Sequence, residues 1–221
     1  MNGPFSLAFL RPITFGKLAA VNLPAGVEAV TEEVLGRLHP EEAALARTFK
    51  GRRQVEFVGG RLAWRALQPQ GDPLGVGPRG EPLAPSGLSV SVAHKRDLAL
   101  ALVGAAADGT LGVDLEVDDR DRSSIAPRVL GLAELEEVAR LPEGERWASV
   151  LLRFALKEAA YKAIHPHLQR YVGFHEAEVL GGAPPRVTVT TRADEPALLL
   201  EGAWEALGGS KILALVRARR A

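Results

Sequence analysis

Cysteine is absent from all 221 residues, which excludes disulfides and thiolate metal sites and leaves zinc only histidine and carboxylate ligands. Net charge is also absent. Lys+Arg and Asp+Glu stand at 27 each, so no global field draws the chain to nucleic acid or to an anionic membrane. No run of about 18 apolar residues occurs, so no membrane span is expected. The first residues hold no basic segment followed by a long apolar one, so no signal peptide is expected and the default address is the cytoplasm. No P-loop is present and no G-x-G-x-x-G follows a strand, which disfavours ordinary kinases and dehydrogenases.

What is there is apolar enough, at 47% hydrophobic, to bury one large core or two small ones. The charges are unevenly spread: Arg47, Lys50, Arg52, Arg53, Arg61 and Arg65 gather in one stretch. Periodicity predicts strands over 5–10 and 16–21, one helix over 27–38, a second opening at Pro40, and a long helix over 52–67 with Val55, Phe57, Val58, Leu62 and Ala66 inward. Ten glycines and prolines between 68 and 87 predict turns. Strands are expected over 88–93, 98–103 and 111–117. The alternation of Ser89-Val90-Ser91-Val92 suggests a half-buried one. Helices are expected over 125–140 and 145–165, with Pro166 ending the latter, and strands over 174–180, 186–191, 197–204 and 211–217. Each half thus reads as helices followed by strands. Ser89–Val92 and Leu98–Val103 echo Val187–Thr190 and Ile212–Val216, so a duplicated α+β unit is expected, joined near 105–111.

Two acidic segments about forty residues apart carry the chemistry: Gly112-Val113-Asp114-Leu115-Glu116, and Arg153 through Lys162 with Lys157, Glu158 and Lys162. On a strand, positions i and i+2 share a face, so Asp114 and Glu116 point at one locus. Two carboxylates that close repel unless a cation intervenes. Mg²⁺ takes oxygen ligands and shares them with substrate phosphates, where lysine adds positive charge. Plainer readings stand beside this one. A lone D-x-E suits a solvated strand face, and Glu158 with Lys162 at i, i+4 suits an ordinary helix-surface salt bridge. His94 ends a strand where it can meet a phosphate or sit idle at the surface. His165 and His167 are read as structural.

Together these segments resemble the 4′-phosphopantetheinyl transferases of the surfactin-synthetase-activating type. That family's pattern is G-[IV]-D-x-E, roughly forty residues, then [FW]-[SA]-x-K-E-[SA]-x-x-K. It is met here by Gly112–Glu116 and by Phe154-Ala155-Leu156-Lys157-Glu158-Ala159-Ala160-Tyr161-Lys162. Arg79-Gly80-Glu81-Pro82 and Ser91-Val92-Ala93-His94 fit two further segments, and Gly60–Leu67 fits a G-R-L-x-x-R-x-L helix. Ala93, Ser91 and Glu81 depart from the usual serine, asparagine and lysine. None of these departures touches the three carboxylates.

The resemblance implies an α+β fold of two similar subdomains in a pseudo-twofold arrangement, expected at 1–108 and 109–221, the second carrying most of the metal site. It implies transfer of the 4′-phosphopantetheine arm of coenzyme A, the co-substrate, to a serine hydroxyl of an acyl- or peptidyl-carrier protein. Adenosine 3′,5′-bisphosphate leaves. By the same resemblance Asp114, Glu116 and Glu158 hold Mg²⁺, or Mn²⁺ in its place. Lys162 and Lys157 contact the pyrophosphate. His94 with Arg47, Arg52, Arg53 or Arg79 receives the 3′-phosphate, which suits arginine's planar fork. Glu134 stands where the family places a candidate general base, with Glu158 itself or a metal-bound water as competitors. Carrier proteins are acidic, so the arginine-rich 47–65 helix is expected to serve docking, coenzyme A or both. The enzyme is expected to be a monomer with no nucleic-acid or membrane partner. A Mg²⁺-dependent nucleotide or pyrophosphate hydrolase and a non-catalytic carrier-binding module are the competing functions.

Overall fold

The computed structural model describes residues 3–221. The chain divides into two units, one ending at Ala107 and one running from Asp108 to Ala221. No helix among the described residues is long and apolar enough to cross a membrane.

In the first unit β1 (Leu7–Ile13) and β2 (Gly16–Asn22) form a hairpin. There follow a 3₁₀ turn (Val27–Ala29), α1 (Glu32–Leu35), α2 (Pro40–Ala46) and α3 (Gly51–Leu67). The glycine- and proline-rich segment holds only the two-residue strands β3 (Gly75–Val76) and β4 (Pro82–Leu83). Strands β5 (Leu88–Lys95) and β6 (Leu98–Ala105) complete an antiparallel sheet of order β1-β2-β6-β5. Helix α3 lies on β2 and β6, burying Val55, Phe57, Val58, Leu62 and Trp64 against Ala99 and Ala101.

Two expectations need correcting here. The single helix over 27–38 is instead a 3₁₀ turn and a short α1, because the Thr31 side chain accepts from the Val34 amide at 3.3 Å and starts a new helix. The serine face of β5 is not solvated either. Ser89 and Ser91 are as buried as Val90.

The second unit begins with β7 (Thr110–Val117). It continues through a 3₁₀ turn (Ser123–Ile125), α4 (Ala126–Val129), α5 (Leu132–Ala139) and α6 (Glu143–Leu168) to β8 (Ala177–Leu180), β9 (Arg186–Val189), β10 (Leu198–Ala206) and β11 (Lys211–Arg220). Strands β10-β11-β7 form one antiparallel sheet and β8-β9 a separate hairpin. The helix expected over 125–140 is broken at Leu130–Gly131, where Gly131 takes an extended conformation and caps α5. Helix α6 does not stop at Pro166. It carries the proline in its last turn and closes at Gln169, in a left-handed conformation. His167 is structural, its Nε2 2.8 Å from Thr110 Oγ1.

Both units share one topology: a strand, a long helix laid across the sheet, and a hairpin whose second arm returns beside the first strand. In the first unit these are β2, α3 and β5-β6; in the second, β7, α6 and β10-β11. The sequence echo is therefore half right. Leu98–Val103 does correspond to Ile212–Val216, but the counterpart of β5 is β10. Val187–Thr190 belongs to the separate β8-β9 hairpin, because alternating strands resemble one another whatever their place in a sheet.

Candidate functional site

Strand β7 presents Gly112, Asp114 and Glu116 on one face, and α6 crosses that face. Gly112 permits the close crossing: a Cβ there would collide with the Ala159 carbonyl oxygen on α6. The crossing brings Lys162 to the acidic strand. Its Nζ donates to Asp114 Oδ1 and to the Val113 carbonyl, each at 2.8 Å. Asp114 and Glu116 are buried, at 8% and 7% exposure. Asp114 Oδ2 is also buried and has no hydrogen-bond partner among the described residues. An orphaned carboxylate oxygen beside a lysine is a buried acceptor whose negative charge suits a further cation.

Glu158 sits one turn before Lys162 on α6. It is half-buried and lines a cavity with Tyr161, Ile164, Tyr171, Val172 and Phe174. No three His, Asp or Glu side chains among the described residues form a ready-made metal cluster. The expected grouping of Asp114, Glu116 and Glu158 around one ion is therefore not preassembled. Part of the reason is physical: Asp114 Oδ1 already has Lys162 as its cation.

Two predicted site residues are engaged by protein groups, although Lys157 also lines the Glu158 cavity. Lys157 is not turned to a phosphate. It is almost fully buried, and its Nζ donates to Glu134 Oε2 at 2.6 Å and to the carbonyls of Val129 (2.7 Å) and Phe174 (2.9 Å). Burial pulls its ammonium below the usual lysine range, against the opposing pull of Glu134. Glu134 is wholly buried and also accepts from the Gly131 and Val179 amides, at 2.7 and 2.8 Å. Both of its oxygens are therefore engaged by protein donors. Lys157 and Glu134 instead tie α5, α6, β8 and the turn at Phe174 together.

The first unit holds a separate cleft lined by Phe49, Arg53, Glu56, Phe57, Arg61 and His94, with Gly80 and Pro82 at its side. Arg61 lies 4.4 Å over the Phe57 ring and Arg53 5.5 Å over Phe49, and the two rings are 4.9 Å apart. His94 Nδ1 is 3.6 Å from Glu56 Oε2. Burial lowers the Arg61 pKa to about 10, against the pull of Glu42, so the group stays charged at neutral pH. Of the predicted phosphate ligands, Arg53 and His94 line this cleft. Arg47 pairs with Glu32 at 2.6 Å, Arg52 bonds Glu56 and the Pro24 carbonyl, and Arg79 is exposed.

Arg61 belongs to the basic stretch and heads the G-R-L motif, but it is not among the residues expected at the 3′-phosphate. Tyr161 likewise lies inside the Lys157–Lys162 motif. Tyr171 and Phe174 come from the segment after α6 and carry no local signal.

Residues 110–215 match the 4′-phosphopantetheinyl transferase superfamily, and residues 40–104 match the 4′-phosphopantetheinyl transferase N-terminal domain. The 4′-phosphopantetheinyl transferase Npt of Nocardia iowensis is 33% identical over 175 residues, covering 71% of this chain and 73% of that protein. The 4′-phosphopantetheinyl transferase PptT of Mycobacterium tuberculosis is 29% identical over 194 residues, covering 80% and 85%. Among solved structures, the holo-[acyl-carrier-protein] synthase of Thermotoga maritima matches 50% of this chain and 63% of its own at 25% identity, with a TM-score of 0.42.

Proposed function

The chain belongs to the 4′-phosphopantetheinyl transferase superfamily, and from that premise we propose how its side chains carry the transfer of the 4′-phosphopantetheine arm of coenzyme A to a serine hydroxyl of a carrier protein. The serine oxygen attacks the phosphorus that bears the pantetheine arm. The bond from that phosphorus to the oxygen of adenosine 3′,5′-bisphosphate breaks, and the leaving group takes the electron pair. The serine proton goes to a base. With Glu134 sequestered by Lys157, the half-buried Glu158 is assigned that proton.

The observation that carries this reading is the meeting of α6 and β7, where Lys162 reaches the buried Asp114 and leaves its second oxygen unpartnered. Asp114, Glu116 and Glu158 would hold a divalent cation, Mg²⁺ or Mn²⁺. When bound it neutralises charge on the pyrophosphate oxygens. Lys162 serves the same phosphates, so positioning and electrostatics supply most of the rate. In the first unit, Arg53, Arg61 and His94 are assigned to the phosphorylated nucleotide end of coenzyme A, for which paired guanidinium groups suit a phosphate. The proposal includes a monomer, to be checked by light scattering.

The test is the intact mass of an apo carrier protein incubated with this protein, coenzyme A and Mg²⁺. A gain of about 340 Da, the mass of the arm supplied by the donor, is expected. It should disappear with EDTA and in Asp114→Ala, with the folded state of the variant confirmed by circular dichroism. Transfer that continues after chelation would end the metal reading.

A further inference from the structure

Lys162 does two things at once in this structure. It neutralises Asp114 Oδ1 at 2.8 Å, and it is held there by a second hydrogen bond to the Val113 carbonyl at 2.8 Å. It remains 29% exposed, so its ammonium can leave for another partner without crossing the core. Asp114 cannot move in the same way. Its side chain is 12% exposed, on the central stretch of β7, whose neighbours Val113 and Leu115 are fully buried. A divalent cation entering beside Asp114 therefore meets a positive charge already in place. Breaking the pair without replacement leaves a buried carboxylate uncompensated, which is costly.

Resting on the reading of Asp114 as a metal ligand, we propose that Lys162 is a placeholder cation that keeps the free protein from binding a divalent metal tightly. The pyrophosphate of coenzyme A draws Lys162 off Asp114 and so opens the position for the metal. Two consequences follow from this exchange. Metal and coenzyme A must strengthen each other's binding by the same factor, since linkage is reciprocal. Removing the lysine charge must strengthen metal binding in the absence of coenzyme A, because the competitor is gone and Asp114 is left without a cation. A lysine that merely stabilised the fold would produce neither effect.

The experiment is titration of Mn²⁺ into the full-length protein, read by the electron paramagnetic resonance signal of free Mn²⁺, with and without saturating coenzyme A. Wild type, Lys162→Met and Lys162→Gln are compared after circular dichroism confirms that each is folded. The glutamine variant covers the case in which the methionine variant does not fold. In the wild type, coenzyme A should tighten Mn²⁺ binding on the order of tenfold, within the usual span of coupling between two ligands. In the lysine variants Mn²⁺ alone should bind on the order of tenfold more tightly than in the wild type, and coenzyme A should add less. Variants that bind Mn²⁺ alone no better than the wild type would overturn the placeholder role while leaving the metal site itself standing. Absence of Mn²⁺ binding in every protein, with coenzyme A present, would overturn the metal reading along with it.

Discussion

Residue identity alone does not reveal the partners of Glu134 and Lys157. Both are charged, both are expected at the site by resemblance to the family, and both are interior. Their 2.6 Å ion pair is closed by two backbone amides onto Glu134 and two carbonyls onto Lys157, so each charge is met on several sides. Removing one partner from such a pair strands the other in a low-dielectric interior, at a cost of about 3–5 kcal/mol. Glu134→Gln and Lys157→Met should each lower stability on that scale in denaturant unfolding, and residual transfer should follow the folded fraction. A Glu134→Gln protein of unchanged stability with transfer abolished would restore Glu134 as the base. The adjacent acids show why the sequence cannot separate these roles. Glu136 is exposed and pairs with Arg140, whereas Glu134, two positions earlier, faces inward. Only the packing of α5 against α6 and β8 makes that distinction.

At the scale of elements, the crossing of α6 over β7 decides the site, and Gly112 decides the crossing. A side chain there meets helix backbone, which cannot turn aside as a flexible side chain would. Gly112→Ala should therefore cost at least about 1–3 kcal/mol by overpacking. It should also reduce transfer beyond the loss of folded protein, because α6, which carries Glu158 and Lys162, would be pushed away from the acidic face of β7. Denaturant midpoints with a transfer assay on the folded fraction check both parts, and an unperturbed variant would remove the glycine from this role. The long elements were legible in sequence. Helices α3 and α6 and strands β5, β6, β7 and β11 follow sustained periodicity. The short ones were not: α1 and α4 depend on one cap and on a break at Gly131, signals of a single residue that periodicity averages away.

Across the whole molecule, ion pairs tie distant segments together and set the response to acid. Arg170, just past α6, bonds Glu195 Oε1 at 2.5 Å and Glu176 Oε2 at 2.7 Å. The Arg170 guanidinium, with help from the Arg192 amide, lowers the Glu195 pKa from 4.5 to about 2. A carboxylate depressed in the folded state adds stability that is fully present above the unfolded value and is lost as pH falls through the folded one. For Glu195 that window runs from 4.5 down to about 2. The melting temperature of Glu195→Gln should vary less steeply with pH in this window than that of the wild type, and should lie below it at neutral pH. Equal slopes would show that the pair is not maintained in solution.

The sequence by itself determined that the chain has an acidic strand with two carboxylates on one face, a helix with a lysine four residues after a glutamate, and a basic helix in the other half. Those features are local, set by the period-two geometry of strands and the near-four-residue turn of helices. It also carried the order and spacing of motifs that mark the family. The tertiary structure alone decided which charge meets which. Lys162 faces Asp114 across 48 positions of chain, Lys157 faces Glu134 across 23, and Arg61 rather than Arg47 joins Arg53 and His94 in the cleft. Such partnerships depend on how helices lie on sheets, which is settled by packing at contacts like Gly112 and Ala159 and leaves no periodic trace in the chain.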